Sequence, residues 1–360
     1  MKKELDIQQP AVTTKTSTES TAIYIALIGG AVGFVIALAL FWGGQTSLFT
    51  KGLSIGFVAS IGASIVALIT YLMASFRNVH EKLKSNLAKF KLHIGIWSLA
   101  LVHTMLTLLV VALMFYVVDQ SFIGATVDHW AASTIVALSI GITGYITYIS
   151  AATMSSMRVA AILALFLVSG TFVSMMTAHD PHWWYVHFSS LGAGGGVSGY
   201  AFNGTLIIAG LAMLGLTDYI TKDFKKLRAQ NDGKTRIKAR ALSFSIAGIG
   251  IMLALVGAFV YNAFPTIHNS AAGGMAVLFL STILALPWLA PNFPKAFFVA
   301  SYGLFIALLV GVWLYQIIGY FNLTVFELAA AAIIFTWLII FVRNTAAMLD
   351  DHDKLSVEKQ

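Results

Sequence analysis

Long apolar runs broken by short polar stretches make up nearly the whole chain. Ten runs of roughly twenty residues stand out, at about 22–43, 52–73, 92–118, 131–152, 158–178, 200–219, 241–264, 272–289, 296–318 and 325–346. At 1.5 Å of helical rise per residue, each covers a hydrocarbon core about 30 Å thick. None alternates apolar and polar positions over about ten residues, as a strand of an outer-membrane barrel would. The pattern predicts an all-α polytopic integral membrane protein with ten transmembrane helices. Composition agrees: 58% of the 360 residues are hydrophobic and 10% charged, whereas a soluble domain carries about a quarter charged residues.

Charge then suggests an orientation. If the N-terminus is cytoplasmic, 21 of the 22 Lys and Arg fall in cytoplasmic segments and Lys51 alone falls outside, the asymmetry that insertion produces. Both termini are therefore expected in the cytoplasm. The net charge of +7 reads as a topology signal, with no nucleic-acid partner implied; the lipid bilayer is the expected partner, and the inner face would favour anionic lipids. The polar segment 1–21 has no small-residue cleavage site after the first run, so that run is expected to be an uncleaved anchor. The chain has no cysteine, which removes disulfides, thiolate metal ligands and thiol nucleophiles. These features fit a bacterial plasma membrane.

The organisation expected from the runs is a polar tail (1–21), a four-helix transmembrane unit (22–152), a six-helix module (158–346) and a second polar tail (347–360). The basic connections 73–91 and 220–240 are too polar to form domains. Gly29-x-x-x-Gly33 and Gly52-x-x-x-Gly56 are small-residue spacings that let helix backbones approach.

Candidate chemistry gathers on the side away from the cations. His129, His179, His182, His187 and His268 fall in predicted outer loops, with Asp119, Asp128, Asp180 and Glu327 nearby. The densest stretch is residues 179–196, HDPHWWYVHFSSLGAGGG. Asp180-Pro181 is a helix-start pair and Gly192 suits the left-handed residue after a helix end, so a short surface helix of about ten residues is expected between them. Its aromatics can serve as an interfacial anchor. Its polar groups can instead form a site. His182, His187 and His268 are then acid/base candidates and Ser189 a hydroxyl nucleophile, while Trp183, Trp184, Gly192, Asn203, Asn262 and Asn269 would contact substrate. His179, Asp180, His182 and His268 could hold a divalent metal such as zinc. The Gly-x-Gly-x-x-Gly match at Gly194, Gly196 and Gly199 follows no strand and carries no dinucleotide-binding implication. His103 lies near mid-bilayer, where an ionisable group marks either a function or a hydrogen bond to a neighbouring helix. The spans otherwise lack a central acid or base, against an ion-coupled transporter.

The segments HFSSLGAGGGVSGYAFNGTLIIAGL and VGAFVYNAFPTIHNSAAGG resemble membrane proteins grouped as domain-of-unknown-function family 998. The matching positions are Ser189, Leu191, Gly192, Asn203, Phe264, Pro265 and His268, and the similarity covers about 158–346. It implies a six-helix unit in which the 189–192 loop and His268 belong to one module, with four added N-terminal spans. The leading functional expectation is a site that binds or modifies a lipid-like headgroup at the outer leaflet, as a hydrolase, a transferase or a binder of a lipid or amphipathic small molecule. The alternatives are a non-coupled transporter or lipid scramblase, and an accessory or receptor protein without turnover.

Overall fold

The structure, a computed structural model, describes residues 15–49, 52–77, 86–227 and 233–357. Residues 1–14 of the polar tail, Lys82 and Lys84, Arg228, Lys51 (the one cation expected on the outer side), and Lys359 lie outside the described residues.

The long helices are α1 (Lys15–Phe41), α2 (Ile55–Arg77), α3 (Asn86–Ser121), α4 (His129–Ala152) and α5 (Ser156–Met176). A short α6 (Ser190–Ala193) precedes α7 (Gly196–Leu227), α8 (Gly233–Ala258) and α9 (Pro265–Leu284). A one-turn α10 (Leu286–Leu289), α11 (Lys295–Gln316) and α12 (Leu323–Val357) complete the chain. Ten of these helices are long and apolar enough to cross a membrane, so the protein is all-α and reads as a multi-pass membrane protein. A three-residue antiparallel pairing of β1 (Gln45–Ser47) with β2 (Thr126–Asp128) was not expected from the apolar pattern; it sets Gln45 opposite Asp128.

Two compact units divide the described residues, one drawn from Met1–His80 and Thr107–Thr153, the other from Glu81–Leu106 and Met154–Gln360. The boundary passes through α3.

In the first unit α1, α2, α4 and the end of α3 pack on small residues. A Cβ on Gly141 would lie 2.9 Å from the Ala26 carbonyl oxygen, and one on Gly30 would lie 3.2 Å from that of Ala137. Helices already dissolved in lipid gain little from the hydrophobic effect when they pair, so such close backbone approach is what holds them. Gly33 and Gly56 act in this way, against Ile140 and Phe115. Gly52 does not: its φ is +58° with open space around it, so it turns the loop before α2 instead of packing a helix. The acids Asp119, at the end of α3, and Asp128 are engaged within the first unit, Asp119 accepting the Phe49 N–H at 3.1 Å and Asp128 capping α4 through Trp130 and Ala131.

In the second unit the close crossings are Gly210 against Gly250, between α7 and α8, and Gly95 against Gly215, between α3 and α7. Lys91 pairs with Asp218 at 2.8 Å. An aromatic core of Phe224, Phe279, Phe293, Phe297, Trp337 and Phe341 is almost fully buried, with Trp337 stacked on Phe341 and donating its indole N–H to Ser301 at 3.0 Å. His103, also in this unit, donates its Nδ1–H to the Leu99 carbonyl one turn back in the same helix at 2.8 Å. Because α5, α8 and α11 end where α7, α9 and α12 begin, the loops 177–195, 259–264 and 317–322 share one end of the unit. None of the three contains Lys or Arg.

Candidate functional site

Two of the three loops of that end, 177–195 and 317–322, are tied together by α12. Asn322 starts the helix, its side-chain oxygen accepting the Val325 N–H at 2.9 Å, the usual way an Asn satisfies a first-turn donor. Its amide nitrogen donates to the Trp184 carbonyl at 3.1 Å. One turn on, the Glu327 carboxylate accepts the Phe188 N–H at 2.6 Å and also takes the Ser189 N–H. The segment 184–189 is thereby pinned at both ends.

This tethering replaces the ten-residue helix expected over 180–192. The Asp180 carboxylate accepts the His182 N–H at 2.8 Å, a tight local turn in place of a cap on a long helix. A single 3₁₀ turn follows at Trp183–Tyr185, and α6 forms only at Ser190. Backbone donors at Phe188 and Ser189 go to Glu327 instead of to a helical ladder, which is why the helix does not propagate. Gly192 lies inside α6 and not after it; the left-handed glycines are Gly195 and Gly196, with φ of +66° and +61°. Gly192 is required for space, since a Cβ there would strike the Asn203 side chain, whose amide donates to the Gly192 carbonyl at 2.9 Å.

Beneath the pinned segment lies a buried polar cluster. His187, Ser189 and His268 are 7%, 6% and 4% exposed. Ser189 Oγ and His187 Nδ1 share a hydrogen bond of 3.0 Å. The His187 ring packs 4.4 Å from that of Tyr261, and Tyr261 meets His268 edge-on at 5.8 Å. Phe264 and Pro265 open α9, Pro265 occupying the first turn where its missing N–H costs nothing, and this sets His268 on the second turn facing inward. His268 donates Nδ1–H to the Phe259 carbonyl at 2.9 Å, which leaves Nε2 as the acceptor nitrogen in the neutral ring. Burial holds the His187 imidazole below its usual pKa, and the neighbouring His268 pushes the same way.

The candidates thus separate. His187, Ser189 and His268 come together, with Asn203 and Gly192 behind the same loop. His182 does not join them: it is exposed, stacks on Tyr185 at 5.7 Å and lies 3.8 Å from Asp180. His179, Asn262 and Asn269 are also exposed. Trp183 packs on Phe188, while Trp184 and Tyr185 stand outside at 3.9 Å from one another. No three His, Asp or Glu groups gather as a metal ion would need among the described residues, so His179, Asp180, His182 and His268 are not assembled as a ligand set. Two members were not singled out by sequence. Tyr261 stood beside the named Asn262 without a motif of its own, and Glu327 was visible only as an acid near a helix start.

The chain matches no family model, no curated protein and no solved structure.

The lowered His187 pKa has a testable sign. The folded loop prefers neutral His187, so its stability is fully present above the unfolded-state pKa near 6.5 and declines as pH falls from there toward the folded value. The titratable groups that act on or pack against His187 are His268 on α9 and Tyr261 on the α8–α9 loop, while Glu327 on α12 holds the neighbouring Phe188 and Ser189 N–H groups. Hydrogen exchange of amides 186–190, corrected for intrinsic rates, should be faster at pH 5 than at pH 7.5. Equal protection at both values would mean that the imidazole is solvated.

Proposed function

We propose that this is a plasma-membrane protein whose Lys/Arg-free end faces outward and there binds or modifies a lipid-like headgroup. The observation that carries this reading is the cluster of buried His187, Ser189 and His268 around half-buried Tyr261, on the same loops as a set of exposed aromatics. Trp184, Tyr185 and Tyr320 are exposed at 42%, 63% and 76%, as expected of rings at headgroup level. Cation depletion at this end fits the side to which Lys and Arg are not retained. The short motifs that resemble family 998 support it further, because Ser189, Gly192, Asn203 and His268 fall on the loop and helix ends of this one cluster.

In the chemical form of the proposal, His187 takes the Ser189 hydroxyl proton through their hydrogen bond as Ser189 Oγ bonds to an ester carbon or phosphorus. The ester C–O or P–O bond breaks and the alcohol leaves with the proton returned by His187, after which water or an acceptor alcohol, deprotonated by His187, releases the group and restores the Ser189 hydroxyl. His268 Nε2 accepts a hydrogen bond from the headgroup. In the binding form the same donors and acceptors hold the headgroup without turnover. Reconstituted protein supplied with lipid extract separates the two. Release of a headgroup or transfer product that is lost in Ser189→Ala, with the helical fold retained, supports chemistry. Retention of lipid without product supports binding. Movement of lipid across the vesicle bilayer, with no product and no effect of Ser189→Ala or His187→Ala, would overturn the headgroup-site reading in favour of a scramblase.

A further inference from the structure

The outer edge of this end also has a charge character that selects among headgroups. Trp184 and Tyr185 form a close, tilted and exposed pair, and Asn322 and Glu327 pin their segment to α12. On one side the pair continues through the His182 ring to the exposed Asp180 carboxylate. On the other lies the start of α12, where Asn322 holds the Trp184 carbonyl. The edge therefore offers the exposed Asp180 carboxylate and aromatic faces. No Lys or Arg stands in any of the three loops that form it.

A phosphate presented here meets no permanent cation, and phosphate sites depend on Arg, Lys or arrays of backbone N–H donors. In this loop the Phe188 and Ser189 N–H groups are already committed to Glu327. A positively charged nitrogen finds the reverse: ring faces that attract cations within about 6 Å and the exposed Asp180 carboxylate to complement its charge. Insertion topology explains why the cations are missing, but the consequence for ligand choice holds whatever the cause. We infer that the edge formed by Trp184, Tyr185 and Asp180 takes the ammonium group of a cationic or zwitterionic amphiphile and discriminates against anionic headgroups. This inference rests on the headgroup-site reading above.

The test compares purified protein in neutral detergent titrated with dodecyltrimethylammonium, dodecyl phosphate and tetramethylammonium, read by binding calorimetry and thermal shift. The inference expects dodecyltrimethylammonium to bind about tenfold tighter than dodecyl phosphate. It expects Tyr185→Leu and Asp180→Asn, both at exposed positions, each to reduce that preference about two- to fivefold, the scale of an exposed cation–ring contact. Equal or tighter binding of dodecyl phosphate, with the effect lost in His187→Ala, would overturn the ammonium assignment and leave the headgroup site standing. Tetramethylammonium binding as tightly as the tailed compound would keep the ammonium assignment and overturn the lipid source. Binding of none of the three, or a preference unchanged in both variants, would overturn the inference.

Discussion

Replacing Glu327 with leucine is expected to release the 184–189 segment and lower the stability of the second unit by about 2–6 kcal/mol. Leucine fills the same space but strands two backbone donors, the N–H groups of Phe188 and Ser189, and each unsatisfied buried donor costs about 1–3 kcal/mol. Glu327→Gln keeps one acceptor oxygen and should retain part of the protection. The readouts are the exchange rates of the Phe188 and Ser189 amides and the thermal transition in detergent. If the leucine variant protects both amides as well as the native chain, the carboxylate is not what holds the loop. Release should also undo the burial of His187 and Ser189, so any activity at the site falls in the same variant.

Trp337→Ala is the second large effect, about 3 kcal/mol, and it acts far from the site. Truncating a buried Trp in a soluble core costs roughly 3–5 kcal/mol as lost transfer energy plus a cavity. Here the transfer part is small, because an unpaired helix in lipid is already in an apolar medium, so the loss sits at the low end of that range. What disappears is the stack on Phe341, the edge contact with Phe279 and the hydrogen bond to Ser301. Trp337→Phe should cost less, since it keeps a ring in the cavity. Unfolding of both variants in mixed micelles measures the difference; equal stability of Trp337→Ala and the native protein would show that this core is loosely packed.

The membrane-spanning helices were legible in the sequence because in lipid each helix satisfies its own backbone, so length and apolarity suffice to define it. The loops were not legible for the opposite reason. Asp180-Pro181 carries the same local signal for a helix start and for a tight turn, and the choice is made by partners far along the chain: Glu327 lies 139 residues from Phe188, and Asn322 lies 138 from Trp184. Gly192 announced itself as a special position, but spacing could not distinguish a left-handed backbone from the close approach of Asn203. The convergence of His187, Ser189 and His268 followed from the outer-loop grouping, whereas the exclusion of His182 depended on its ring turning toward Tyr185. Tyr261 had no sequence signal beyond an aromatic in the loop before α9.

The claim on which the functional account rests is that the 184–189 and 317–322 loops share an end of the second unit that faces outward, away from the basic residues. The absence of cysteine makes this directly measurable, since every introduced thiol is unique. Single variants Tyr185→Cys, Tyr320→Cys and Lys295→Cys would be treated in intact cells with a membrane-impermeant maleimide. The account predicts labelling at 185 and 320 from outside, and at 295 only after the membrane is opened. Labelling of 295 from outside, with 185 and 320 protected until lysis, would contradict it.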